Sequence, residues 1–242
     1  MTERVNELGQ PIGPALPGWR PRPQPPRTAM DGRLCRVEPI DVERHAKALF
    51  DADRADAHGG NWTYMFDGPF ADFASFRSLV EHDVVTHDPL VHAIVDRQTD
   101  RAVGMASLMR IQPDFGIIEV GRIMYTPALQ RTPAATEAMY LMMKRVFDEL
   151  GYRRYEWKCD ALNAPSRAAA LRLGFRFEGI FRQGAIYKGR SRDTAWYAMI
   201  DADWPHLRAA YERWLDPSNF DGAGRQKVRL SALIADQPSS LP

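Results

Sequence analysis

Gln130-Arg131-Thr132-Pro133-Ala134-Ala135-Thr136-Glu137-Ala138 is the stretch on which the fold turns. An apolar, strand-like run ending at Tyr125 precedes it. After it, Met139, Met142, Met143, Val146, Phe147 and Leu150 form one apolar stripe at helical spacing, and Gly151 supplies a left-handed stop. A strand, a short loop and a helix over 134–150 are therefore predicted. The first N–H groups of such a helix have no intrahelical partners, and the helix dipole adds partial positive charge there. A phosphate-bearing ligand suits this turn. An ordinary helix start, capped by Thr132 with Pro133 in the first turn, reads equally well from the loop alone.

Working outward, strands are predicted over 91–95, 102–111 and 117–125, separated by turn formers at 98–101 and 113–116, as in an antiparallel meander. Upstream, Asp41 caps a helix carrying Val42, Ala46, Leu49 and Phe50, and Asp72 caps a second with Phe73, Phe76 and Val80. The aromatic loop Gly59-Gly60-Asn61-Trp62-Thr63-Tyr64-Met65-Phe66 joins them. Downstream come a strand over 155–159, a short helix over 166–173 stopped by Gly174 with Phe175 closing its end, and a hairpin of 178–187 with 194–200 around Lys188-Gly189-Arg190-Ser191. Trp204, Leu207, Tyr211, Trp214 and Leu215 mark a last amphipathic helix. This order gives an α+β fold, a mixed sheet with helices on both faces.

The 130–138 loop and Asn163-Ala-Pro-Ser166 with Leu173-Gly174-Phe175 together resemble the acyl-CoA-binding core of the GNAT acetyltransferases. The likeness is strongest to the branch that holds the ribosomal-protein N-terminal acetyltransferases, and it runs from about Leu34 to Ile200. It implies the GNAT fold: a central, mostly antiparallel sheet splayed in the middle. It also implies acetyl-CoA as co-substrate and an amine acceptor, either a small molecule or a protein N-terminus. Gln130, Ala135 and the following Thr136-Glu137-Ala138 match the coenzyme loop, and Thr132 and Ala134 within it are expected to touch the coenzyme too, whereas Arg131 and Pro133 stand where this branch commonly has glycine. Proline at 133 suits a first turn, and Arg131 adds a cation that can fork onto phosphate. Asn163 is implied at the pantetheine arm. Many members carry a tyrosine seven residues after that Asn; here Ala170 stands there, and Ser166 becomes the candidate proton donor to the departing thiolate.

Ile117, Glu119, Gly121 and Ile123 share one strand face, so Glu119 projects from an apolar row. There it reads as a desolvated general base, or as the partner of Arg122 or another cation. Glu119-Val120-Gly121 aligns with the Glu-x-Gly of the resembled branch. The same strand is expected to splay from 155–159, offering backbone N–H near Met124 and Tyr125 as an oxyanion hole. Trp62 and Tyr64, with Arg122 and Trp157, are the expected acceptor wall, and Trp157 reads equally well as core. Phe66 and Phe70 read as core, and Lys188, Arg190 and Arg192 cluster at the hairpin turn.

Lys+Arg 32 against Asp+Glu 31 implies no broad attraction to nucleic acid or membrane. Cys35 and Cys159 make no disulfide framework, nothing reads as a signal peptide or a bilayer span, and a cytoplasmic protein is expected. His82 and His87 are not at helical ligand spacing, and Asp51, Asp53, Asp56 and His58 lack the glycine and glutamate of a calcium loop, so no metal is expected. Residues 1–30 hold seven of the eighteen prolines and read as an extended arm pinned by Leu16 and Trp19. A GNAT domain is placed at 31–216 and a polar tail at 217–242, as a monomer or homodimer. The expected activity is N-acetyl transfer by direct attack in a ternary complex. The alternatives are a GNAT-fold binding or regulatory module, or an enzyme using another acyl-CoA.

Overall fold

The structure, a computed structural model, describes residues 4–235. Eight strands form one sheet in the order β1-β2-β3-β4-β5-β6-β8-β7. They are β1 (Met30–Asp31), β2 (Cys35–Pro39), β3 (Leu90–Asp96), β4 (Ala102–Gln112), β5 (Ile117–Tyr125), β6 (Arg154–Asp160), β7 (Arg176–Tyr187) and β8 (Arg190–Ile200). Every neighbouring pair is antiparallel except β5–β6. The helices are α1 (Lys47–Asp53), α2 (Phe73–Val85), α3 (Pro133–Lys144), α4 (Ala164–Arg172), α5 (Trp204–Leu215) and α6 (Leu230–Ala235). The expected meander, long helix and final hairpin are present. The helix start at Asp41 is a π-helical turn, Val42–Ala46, before α1, and α3 ends in another, Arg145–Glu149.

Strand alternation distributes the core between two faces. Ile118 and Val120 of β5 and Tyr155 and Trp157 of β6 pack with the Met139–Met143 stripe of α3 and with α5. Val91, Ala93, Val95 and Met105 pack on the other face with Leu49, Phe50, Phe76 and Val80 of α1 and α2. Asp41 and Asp72 cap as expected, accepting from the N–H of Arg44 and Ser75. The sequence reading missed β1 and β2, whose turn is held by Glu137 of α3. Its carboxylate, 5% exposed, accepts from the N–H of Arg33 (3.0 Å), Leu34 (2.6 Å) and Cys35 (2.9 Å). Close approach at Gly32 is obligatory, because a Cβ there would sit 2.5 Å from Glu137 Oε2.

The N-terminal arm is pinned as expected at Trp19, whose indole donates to Asp114 O (2.9 Å), while Leu16 stays exposed. Further along, Tyr152 donates to Pro23 O (3.1 Å), and Arg145 reaches Thr28 O and Ala29 O. The segment read as a polar tail is corrected. Within it, Leu230 and Leu233 of α6 are buried against α5, an apolar pair too short to stand out beside the polar residues of 221–229. The rest of that expectation, 236–242, lies outside the described residues. Among the described residues no helix is long and apolar enough to cross a membrane.

Candidate active site

The sheet opens at its centre. β5 and β6 pair in parallel only from Ile117 with Arg154 to Val120 with Trp157. Beyond that point β5 follows β4 to the pair Gly104–Tyr125, and β6 follows β8 to the pair Asp160–Thr194. A register shift between Met105 and Ser107 bends β5, and Ser107 fixes the bend by donating to Gly121 O (2.9 Å). Gly121 permits it, since a Cβ there would collide with the Met109 sulfur. Arg122 takes up the strain with φ +48. Its guanidinium ties the bulge to α2 through buried Asp83 (2.6 Å) and to Asp67 (3.3 Å). Burial pushes the Asp83 carboxyl up, and Arg122 opposes the rise. Arg122 is thus already engaged by two carboxylates.

At one end of this opening lies the first turn of α3. Thr132 caps it, accepting from Ala135 N–H (3.2 Å), with Pro133 in the first turn. Arg131 adopts the left-handed conformation, φ +61, and is exposed. It occupies backbone space that glycine enters without cost. Gln130 donates to Tyr125 O (2.8 Å) and Asn61 Oδ1 (2.8 Å), joining the loop to β5 and to the aromatic segment. Ala134, Ala135 and Thr136 are buried, and Arg172 of α4 reaches the Thr136 hydroxyl (3.1 Å). Met124 is buried among α1 and α2 side chains, so only its backbone can serve the opening.

Ser166 stands at the start of α4. Asn163 caps that helix by accepting from Ser166 N–H (3.1 Å). The Trp157 indole donates to Ser166 Oγ (3.0 Å), so the serine oxygen is an acceptor there and its own proton is left to donate. Trp157 is buried edge-on to Phe175 at 5.6 Å, the core placement of its two readings, and supports Ser166 from there. Burial pushes the neighbouring Cys159 thiol up, and Ser166 pulls it partly back.

Glu119 is buried as expected, at 3% exposure, but it is not alone. Arg110 meets it at 2.8 Å and Lys158 at 2.9 Å, and Lys158 also reaches Glu156 at 2.7 Å. The cations come from β4 and β6, distant in sequence.

The aromatic loop divides by depth. Trp62, 1% exposed, donates to Asp53 (2.6 Å) and packs on Phe70 at 5.1 Å, so it is core and not wall. Tyr64 donates to Leu162 O (3.3 Å), just before α4. Phe66, read as core, is 56% exposed and lies against Tyr187 at 5.6 Å and beneath the Arg192 guanidinium at 5.5 Å. Buried Asp160 ends β6 and accepts from the Tyr187 hydroxyl (2.9 Å) and Leu162 N–H (2.8 Å).

The family model for the acetyltransferase (GNAT) domain matches residues 36–176, more than half of the chain. The chain belongs to the GNAT acetyltransferase family. A GCN5-related N-acetyltransferase from Brucella melitensis is 46% identical, with a TM-score of 0.89 over 91% of this chain and 100% of that one. The uncharacterized N-acetyltransferase p20 of Bacillus licheniformis is 23% identical over 69% of this chain and 99% of its own length. RimL, a ribosomal L7/L12 α-N-protein acetyltransferase solved with coenzyme A, is 19% identical over 72% of this chain and 98% of its own, with a TM-score of 0.61, a likeness of fold.

The GNAT match to 36–176 stops at the start of the hairpin that brings Tyr187 and Arg192 to the opening. Sequence reasoning missed Asp160 and Tyr187. The one signal was Tyr187 beside the basic turn at 188–192, which carries no address to β6.

Proposed function

We propose that this GNAT protein moves an acetyl group from acetyl-CoA to a primary amine by direct attack, without a covalent acyl-enzyme. The observation that carries the reading is the gap beyond Val120 and Trp157, where each central strand turns an unpaired edge toward the other. Pantetheine amides can complete such an edge as an added strand does, which carries the thioester into the sheet. N–H groups near Met124 and Tyr125 are then placed for the oxyanion, and the first turn of α3 for the coenzyme phosphates. Ser166, whose oxygen is already engaged by the Trp157 indole, gives its proton to the departing thiolate. Glu119 receives the amine proton through water. An α-amine of pKa about 7.7–8.0 needs less help from a base than a lysine near 10.4, which favours the α-amine as acceptor. RimL, solved with coenzyme A, supports the coenzyme and the α-amine alike.

Titration calorimetry with acetyl-CoA tests this reading. Binding is expected, and Arg131→Ala should weaken it about tenfold, since a charge-assisted hydrogen bond is worth about 1.5–3 kcal/mol. The difference should shrink as salt rises. Arg131→Gly should weaken binding as much while fitting φ +61 more easily. Absence of any binding at millimolar acetyl-CoA, in the parent protein, would contradict the reading; equal binding by parent and Arg131→Ala would remove Arg131 from it.

A further inference from the structure

Around the acceptor side of the opening, charge is unequally spent. Asp160 pairs with Thr194 and Lys158 with Trp196 across β6–β8. Alternation therefore puts Arg192, Thr194 and Trp196 on the sheet face that carries Lys158 and Asp160. Every carboxylate nearby has its partners. Asp67 is on Arg122, Asp193 accepts from Gln183 N–H (2.7 Å), Asp160 holds Tyr187 and Leu162, and Glu119 and Glu156 share Lys158.

The donors are not matched in the same way. Arg192 makes no ion pair among the described residues; it is half-buried over Phe66, and its Nε is buried without a hydrogen-bond partner. The Trp196 indole N–H is likewise buried and unpartnered, with the Lys158 ammonium 3.7 Å from its ring. Lys188 donates to a main-chain carbonyl, Trp62 O, at 2.7 Å. A buried donor left unmade costs more than a made bond returns, so the Arg192 guanidinium awaits an acceptor atom. A guanidinium presents a fork that fits a carboxylate. The coenzyme phosphates do not answer this need, because the α3 turn packs on the opposite face of the sheet, with Tyr155 and Trp157.

We propose that Arg192 binds a carboxylate on the acceptor, so that the substrate is an amine that also carries a carboxylate rather than a polyamine. The proposal rests on the acetyl-transfer reading and narrows its acceptor. Phe66 and Tyr187 would then pack along the carbon skeleton between the two charges.

Matched acceptors test it: glutamate against its diamide, and a short peptide with glutamate at its second position against the same peptide with glutamine, each with acetyl-CoA and the full chain. The expected result is kcat/KM higher by about tenfold or more for the carboxylate member of at least one pair. Arg192→Gln should collapse that ratio through KM, and Arg192→Lys should keep part of it. The two pairs distinguish a free amino acid from a peptide N-terminus. Equal use of both members, better use of spermidine, parallel loss of both in Arg192→Gln, or transfer to none of them overturns the proposal. Calorimetry separates the failures. Acetyl-CoA binding without a carboxylate preference leaves the acetyl-transfer reading standing, and absence of binding sinks both. Weaker acetyl-CoA binding in Arg192→Gln would assign the cation to the coenzyme and also overturn the proposal.

Discussion

Ser166→Ala is expected to lower kcat by about 10²-fold, with no recovery at high pH. General acids contribute about 10²–10⁴-fold, and a thiolate with a pKa near 8.5 leaves readily, which sets the loss at the lower end. The substitution removes the hydroxyl that the Trp157 indole engages, while the Asn163 cap bonds the backbone N–H of residue 166 and survives. The KM for acetyl-CoA should therefore change little, while the freed Trp157 indole N–H, worth about 1–3 kcal/mol, lowers the melting temperature by a few degrees. A base defect would be relieved as pH rises and the amine loses its proton unaided; an acid defect would not. Stopped turnover assays across pH 6.5–9.5 decide between them. If Ser166→Ala turns over within twofold of the parent protein, the serine is a helix-cap residue and the leaving thiolate needs no donor from this chain.

The second large effect is on stability. Glu137→Ala strands the N–H groups of Arg33, Leu34 and Cys35, all held by one carboxylate in the parent fold. An unsatisfied buried donor costs about 1–3 kcal/mol, so a loss of about 3 kcal/mol or more is expected. For a chain of this size that lowers the melting temperature by about 6–12 °C. Because Glu137 sits in the second turn of α3, loosening it also frees the turn that carries Thr132 and Arg131, and acetyl-CoA affinity should fall with it. Calorimetric melting of both variants, with and without acetyl-CoA, checks the two effects together. A drop below about 1 kcal/mol would mean that the β1–β2 turn holds without its anchor.

Why local pattern announced so much of this fold is visible in α3 and β5. Their signals, an apolar stripe and a two-residue alternation, are written within one segment; the α3 stripe is the face that packs, whereas in β5 it is Ile118 and Val120, the row alternate to Glu119, that enter the core. Caps at Asp41, Asp72, Thr132 and Asn163 were legible because a cap bonds a residue only three positions away. The misread residues depended on partners far along the chain. Glu119 is clamped by Arg110 and Lys158, nine and thirty-nine positions away, so its alternation gave its face but not its company. Trp62 and Phe66, four residues apart in one aromatic loop, ended in core and on the surface respectively. That division follows the half-buried Asp53 that takes the Trp62 indole, and the hairpin that comes back to meet Phe66. Arg131 is a different case. Its residue type argues against the loop that its backbone nevertheless forms, and only the φ angle reveals that the glycine-like conformation has been kept.

The most direct test of the account is release of the coenzyme A thiol from acetyl-CoA, followed with and without a panel of amines. The account predicts thiol release only when an amine acceptor is present, in equal amount to the acetylated amine, with no acetylated protein trapped when the acceptor is withheld. Release of thiol with no acceptor, an acetyl group held on the protein, or acetyl-CoA bound without release to any amine would contradict it.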